Sequence, residues 1–432
     1  MPKALLIDYN GFFASCEQQE RPELRGRPIA VVPLMSEHTS CIAASYDAKR
    51  AGIKVGTPVA EARLLCPGIA IVESRPEVYL RYHQKLLAAV ETCLPVTEVW
   101  SIDEVWCALP VNFQSREAAV ALAKNLKRAI TRLAGDCLTC SIGLAPNAWL
   151  AKIASDLQKP DGLVVIELED LPHRLYDLAL RDLPGVGSNM SARLRAAGIL
   201  TVEQLCAAEL RELRRIWGGI EGERVWRRLR GEEVPLPPRQ TSSIGHAQIL
   251  SPDLRNPDGA RATLHRLLQK AALRLRHGRF YAAGMHVALK FRGGTRWSTA
   301  ATFTDTDDTL ELIRVLNLLW DRRPSGREDN FSVGVTLFDL VPEGAHTATL
   351  PGLLEAPGQS SRRAALNATL DHINRKLGKH AVVYGGAMGA LAYAPMRIAF
   401  QRIPDLALEE GEPDGELFPT TEDLAAARRL SG

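Results

Sequence analysis

WSIDEVW, residues 100–106, sets two adjacent carboxylates, Asp103 and Glu104, into a run otherwise dominated by Trp, Val and Ile. Successive side chains of a strand point to opposite faces, so two acids in a row break the alternation of a half-buried strand. A hairpin turn or a bulge must re-aim one of them before both can serve one site. An isolated Asp-Glu pair is more often a solvated hairpin tip. The chain around it has to decide.

Upstream, KALLID at residues 3–8 reads as a buried strand ending in Asp8, and GFFASCEQQ opens a helix behind Gly11. Short strands and helices follow, and EVYLRYHQKLLAAVETCL at 77–94 is a longer amphipathic helix. After the hairpin at 98–109 come a helix over 116–135, a strand in LTCSIGLAPN at 138–147 and the helix WLAKIASDLQ. Strand, helix, two strands, helix, strand is the order of a split βαβ sheet, in which the hairpin can lie beside the strand of Asp8. Three carboxylates, Asp8, Asp103 and Glu104, then converge. Concentrated negative charge calls for neutralising cations, and hard oxygen ligands shared with substrate phosphates are how proteins usually hold Mg²⁺. Two such ions can activate an attacking oxygen and stabilise a leaving one in phosphoryl transfer.

The texture changes near residue 170, where short helices separated by glycine take over. LPGVGSNMSARL reads as a hairpin between two of them. Gly185, Gly187 and Ser188 leave room for a DNA phosphate at the N–H groups of the second helix, although an ordinary helix-to-helix turn fits the same letters. VPLPPRQ at 234–240, with its three prolines, cannot continue a helix and reads as an extended linker. Beyond it, a basic helix around 259–277 and strands near 282–292, 299–303 and 331–338 make a last α+β domain ending near Val341. The remainder reads as a partly ordered tail.

With 432 residues and 46% hydrophobic composition the chain can build several cores, at about 100–150 residues per domain. No run approaches the ~18 apolar residues of a membrane span and the N-terminal apolar run is too short for a secretory signal, so a cytoplasmic protein without membrane contact is expected. Eight cysteines are scattered, and the Cys137 to Cys140 pair lacks the partners of a zinc site. Net charge is only +3, but its distribution is uneven: Arg255 to Trp297 holds many Arg and Lys, Lys290, Arg292 and Arg296 among them, against the single acid Asp258. With Phe280, Tyr281, Phe291 and Trp297 interspersed, that block suits a phosphate backbone as well as a solvated basic surface.

DYNGFFASCEQ at 8–18, SYDAKRAGIKVGTP at 45–58, SIDE at 101–104, SIGLAPNAWLAKIASDLQKPDG at 141–162 and LPGVG at 183–187 together resemble a Y-family translesion DNA polymerase, in order and over roughly residues 1–340. The resemblance implies a right hand of α+β multidomain architecture. Its palm is a split βαβ sheet (1–10 and 76–170), followed in layout by small fingers (11–75), a helical helix-hairpin-helix thumb (171–233), a linker (234–241), an α+β little finger (242–345) and a C-terminal tail (346–432). It implies that Asp8, Asp103 and Glu104, with the carbonyl of Tyr9, hold two Mg²⁺ ions. It places Asn10, Gly11, Phe12 and Phe13 under the incoming nucleotide, Phe13 as the steric gate against a 2′-hydroxyl. Tyr46, Lys49, Arg50 and Lys159 fall to the triphosphate, where cationic donors stabilise developing charge.

The implied partners are primer-template DNA and deoxynucleoside triphosphates. A sliding clamp could dock on the tail through GELFP at 415–419 or QRIPDLAL at 401–408, and an accessory subunit is a further candidate. DYNGFFASCE, with Asn10 where many relatives have Asp, is similar to the bacterial polymerase V catalytic subunit, whereas KPDG is similar to polymerase IV, so the subfamily stays open. The competing reading is a non-catalytic DNA-binding accessory subunit on a polymerase-like fold, which would be expected to lose ligands that this chain keeps.

Overall fold

The computed structural model describes residues 1–37, 39–235, 241–324, 326, 329–346, 359–378 and 381–393. They form two compact units, one within residues 1–235 and one within 241–393. Among them, no helix is long and apolar enough to cross a membrane.

The first unit threads eight strands in chain order: β1 Ala4–Tyr9, β2 Ile29–Val32, β3 Ala43–Ala44, β4 Ala70–Glu73, β5 Glu98–Ser101, β6 Glu104–Ala108, β7 Cys140–Ala145 and β8 Leu163–Val165. Five of them make one sheet in the order β5-β6-β1-β7-β8. β1 is central and antiparallel to both β6 and β7, and all six of its residues are buried, as its continuous apolar run requires. The helix Pro76–Glu91 carries the chain from β4 to β5, and β6 slots between β5 and β1, so the split βαβ order expected from the sequence is the observed one. β8, a short parallel addition at the edge, has no strong sequence signal.

The two faces of β1 do different work. Ala4 and Leu6 share the face of Asp8 and join a core with the helix Ala148–Leu157 and with the short helices Ser188–Ala196, Val202–Ala207, Leu210–Trp217 and Ile220–Arg228, through Leu150, Leu194, Leu213 and Val225. The helical region and the sheet therefore share one apolar interior, and the helix carrying Lys152 and Asp156 is pressed onto β1 and β7. A separate small sheet, β3-β2-β4, encloses its own cluster of Ala30, Ala44, Ala48, Ile53 and Ala62.

The second unit is a four-stranded sheet, β11-β10-β12-β9, formed by β9 Ser243–Ile249, β10 Phe280–Phe291, β11 Arg296–Thr306 and β12 Asn330–Pro342. All its pairings are antiparallel, and the helices Pro257–His277 and Thr309–Trp320 supply Leu264, Leu268, Leu312 and Leu316 to its core.

Two regions gain detail here. The tail expected to be partly ordered carries a helix, Gln359–Lys376, and a 3₁₀ stretch, Gly385–Tyr393, which continue the second unit. That helix docks through charge, with Arg276 Nε 2.6 Å from Asp371, Arg363 Nη1 2.5 Å from Glu311 and Asn367 Nδ2 donating to Asp308 Oδ1 at 3.1 Å. It lacks the apolar stripe that marks most docked helices. The basic block of 255–297 is not one surface. Arg266 is buried beside Gln248, and Arg276 turns toward Asp371 and Thr309, because a long cationic side chain goes wherever its partner lies.

Candidate active site

Antiparallel register fixes the first contact: Asp8 at the end of β1 stands opposite Glu104, the first residue of β6, and opposite Ser141 of β7. The re-aiming that WSIDEVW needs is a tight turn between Ser101 and Glu104, with a register shift between Val99 and Ser101. Three straps hold that turn. The Tyr9 N–H donates to Asp103 O at 2.9 Å, Ser101 Oγ donates to Asp103 Oδ1 at 2.6 Å, and buried His83 donates from Nδ1 to Ile102 O at 2.9 Å. Asp103 sits in the turn and Glu104 on the strand, which places both beside Asp8 despite their adjacency.

The helix Ala148–Leu157 and the turn after it answer these acids with cations. Lys152 Nζ lies 2.6 Å from Asp8 Oδ2, 2.8 Å from Glu104 Oε1 and 3.1 Å from Asp156 Oδ2. Lys159 Nζ lies 2.7 Å from the other oxygen of Asp8 and 2.8 Å from Asp156. Burial works against the Lys152 ammonium, but Asp8, Glu104 and Asp156 outweigh it and push its pKa up; Lys159 is raised for the same reason, against burial and the neighbouring Lys152. Asp103 moves the other way in charge: desolvation, helped by the Asp8 and Glu104 charges and opposed by the Ser101 hydrogen bond, pushes its carboxyl up to about 6.

In charge and donor chemistry these residues fit a hard divalent cation: three carboxylates and a main-chain carbonyl, with Asp8 already drawing a cation to each oxygen. Among the described residues, no group of three or more His, Cys, Asp or Glu is drawn close enough to hold a metal as it stands. Instead Lys152 bridges Asp8 and Glu104, and Lys159 holds the other oxygen of Asp8.

The residues implied to meet a nucleotide lie at the exit of β1, on the helix Phe12–Glu20, on the short helix Tyr46–Arg50 and at Lys159. Gly11 has φ +57, and a Cβ there would stand 3.2 Å from Ala44 O, so the left-handed turn that starts the helix Phe12–Glu20 favours glycine. Asn10 is buried, donating from Nδ2 to Ser141 Oγ at 3.1 Å and accepting the Asp161 N–H at 2.7 Å, so its amide ties β1 to β7 and to the loop after Lys159. Phe12 packs beside Tyr9, and Phe13, 1% exposed, stacks on Tyr79 at 4.4 Å. Behind Tyr79, its hydroxyl donates to fully buried Glu17, which Arg75 also grips at 2.6 Å. Lys49 Nζ rests 4.3 Å over the Tyr46 ring, its pKa lowered by burial and by Lys159. Arg50 is exposed and paired with Asp47.

Gly185 (φ +87) and Gly187 precede the helix Ser188–Ala196 with open space where a Cβ would project. In the second unit, Lys290 and Arg296 face one another across β10 and β11, Lys290 Nζ lies 5.3 Å from the Phe331 ring, and Arg292 is 3.8 Å from Asp329. The tail segments 401–408 and 415–419 lie outside the described residues. Sequence reasoning missed Lys152 and Asp156. Their signal was present: Lys152 and Asp156 stand at i and i+4 on one face of the helix after β7, with Lys159 just past its end.

The chain matches the impB/mucB/samB family over residues 7–156, that family's C-terminal domain over 241–350 and the thumb domain of DNA polymerase iota over 181–233. It is 33% identical to DNA polymerase IV of Moorella thermoacetica, covering 88% of this chain and 94% of that one. It is 30% identical to DNA polymerase IV of Yersinia enterocolitica, over 78% of this chain and 97% of the relative. Among solved structures, a chimera of the Y-family DNA polymerases Dbh and Dpo4 superposes with a TM-score of 0.67, at 23% identity, over 78% of this chain and 99% of its own. An insertion ternary complex of Dbh DNA polymerase gives a TM-score of 0.54 over the same shares.

Proposed function

The chain belongs to the impB/mucB/samB family, as a Y-family DNA-directed translesion DNA polymerase of the polymerase IV type, and from that premise we propose that the Asp8, Asp103 and Glu104 site extends a primer by two-metal nucleotidyl transfer. The observation carrying the proposal is Asp8 opposite Glu104 across β1 and β6, with Asp103 strapped beside them and a row of lysines in contact. Asp8, Asp103, Glu104 and the Tyr9 carbonyl would hold two Mg²⁺ ions, which when bound lower the pKa of the primer 3′-hydroxyl and neutralise the leaving phosphates. The remaining work falls to this chain's residues. Lys159, Lys49, Tyr46 and Arg50 bind the triphosphate and fix the α-phosphate in line with the primer hydroxyl. Phe13, braced by Tyr79, rejects the 2′-hydroxyl of a ribonucleotide.

The N–H groups around Gly185 to Ser188 grip DNA phosphates without reading sequence, as do Lys290, Arg292 and Arg296 on the second unit. Substrates on this reading are primer-template DNA and deoxynucleoside triphosphates, in the cytoplasm, and segments 401–408 and 415–419 are the candidate clamp-docking peptides. Primer extension by the purified chain with Mg²⁺ tests the proposal: extension without additions also dispenses with an accessory subunit, and none under any condition removes the catalytic assignment. The non-catalytic reading has no observation in its favour, since all three acids are present.

A further inference from the structure

One ammonium meets three carboxylates here, donating to Asp8 and Asp156 and pairing with Glu104. Lys152 Nζ spans Asp8 Oδ2 and Glu104 Oε1, the two acids that β1 and β6 set opposite one another, and reaches Asp156 one helical turn away. The side chain is 16% exposed, so these contacts are made in a poorly solvated place where charges act strongly on one another. A divalent ion held by Asp8 and Glu104 would compete with Lys152 for these carboxylates. Lys159, on the other oxygen of Asp8, has a destination once a triphosphate arrives. Lys152 instead stays within reach of Glu104 and Asp156 on its own side of the site.

We propose that Lys152 is the resident counter-cation of the carboxylate site: it holds Asp8 and Glu104 in place and yields Asp8 Oδ2 when a divalent ion binds, so that it sets how tightly that ion is held before nucleotide arrives. Lys152 is a positioning residue, acting through Asp8 and Glu104, and the inference rests on reading those two as metal ligands. Its charge, rather than its shape, does this. A neutral side chain of similar reach, such as Met or Gln, frees both carboxylates for the ion, whereas Arg restores the competition.

The test is Mn²⁺ binding to the full chain without DNA or nucleotide, read from the electron paramagnetic resonance of the free ion, for wild type, Lys152→Met, Lys152→Gln, Lys152→Arg and Asp8→Asn. Lys152→Met and Lys152→Gln should bind Mn²⁺ about tenfold or more tighter than wild type, and Lys152→Arg should stay within about threefold of it. The two neutral variants guard against one of them failing to fold, as a thermal melt will show. Unchanged or weaker Mn²⁺ binding in a folded neutral variant overturns the inference. Asp8→Asn separates the layers: if it loses Mn²⁺ while the Lys152 variants do not tighten, Lys152 alone was misread, and if it binds as well as wild type, the metal-ligand reading falls first.

Discussion

Replacing Asp103 by Asn should stabilise the first unit while abolishing catalysis. The carboxyl is held in a turn by Ser101, desolvated and beside two further acids, and its pKa stands at about 6 against an ordinary 3.8. A carboxyl raised by folding binds its proton more tightly in the folded state, so its contribution to stability is lost as pH rises from the unfolded value through the folded one. At neutral pH the ionised form is the disfavoured one. Two pKa units correspond to about 3 kcal/mol of penalty at pH 7, falling to about half of that at pH 5, where folded Asp103 is already mostly protonated. Asn keeps the oxygen that accepts from Ser101 Oγ and carries no charge, so the variant escapes the penalty. For a unit of this size the gain is a rise of roughly 6–12 °C in Tm at pH 7. The assay is thermal unfolding in EDTA at pH 5 and pH 7, following the transition of the first unit. A variant no more stable than wild type at pH 7, or a gain that does not shrink at pH 5, refutes the electrostatic account of the turn.

Removing the Phe13 ring should let ribonucleotides in, measured as extension with each sugar; since loss of a buried ring costs about 3–5 kcal/mol, Phe13→Leu accompanies Phe13→Ala as the milder variant. Unchanged sugar discrimination in an active variant would make Phe13 a core residue only. Charge reversal at Arg292 and Arg296 should weaken binding alike on all DNA sequences and lower the salt slope by about 2, roughly 0.9 per lost phosphate contact; a fluorescence anisotropy titration over salt with an unaltered slope would remove them from the interface. Deleting residues 401–432 should leave extension of a short primer intact but remove stimulation by a sliding clamp, and full stimulation would place docking elsewhere.

The parts of the fold that hydrophobic pattern controls were readable in advance. The uninterrupted apolar run of β1 demanded burial on both faces, and Asp103 beside Glu104 demanded a turn, which the structure supplies between Ser101 and Glu104. Where charge rather than apolar area makes the contact, the sequence was silent about the partner. The helix Gln359–Lys376 docks by Arg363 on Glu311 and by Asp371 on Arg276, pairs distant in sequence with no periodic apolar signature. Arg266 and Arg276 looked like two more cations of a basic surface and are instead turned toward Gln248 and Asp371. At the site, single residues such as Asp8 could be picked out, but Lys152 takes its meaning from lying across the facing pair Asp8 and Glu104, a relation of strand register that spacing along the chain does not display.

The central claim is that Asp8, Asp103 and Glu104 act on metals rather than on DNA, and single-turnover primer extension with Asp103→Ala and Glu104→Ala, alongside primer-template binding by the same proteins, tests it most directly. Losing a metal ligand should remove several kcal/mol of transition-state stabilisation, so extension should fall by about a thousandfold or more while binding stays within about threefold. Substantial extension by both variants, or a collapse of DNA binding that accounts for the lost activity, would contradict it.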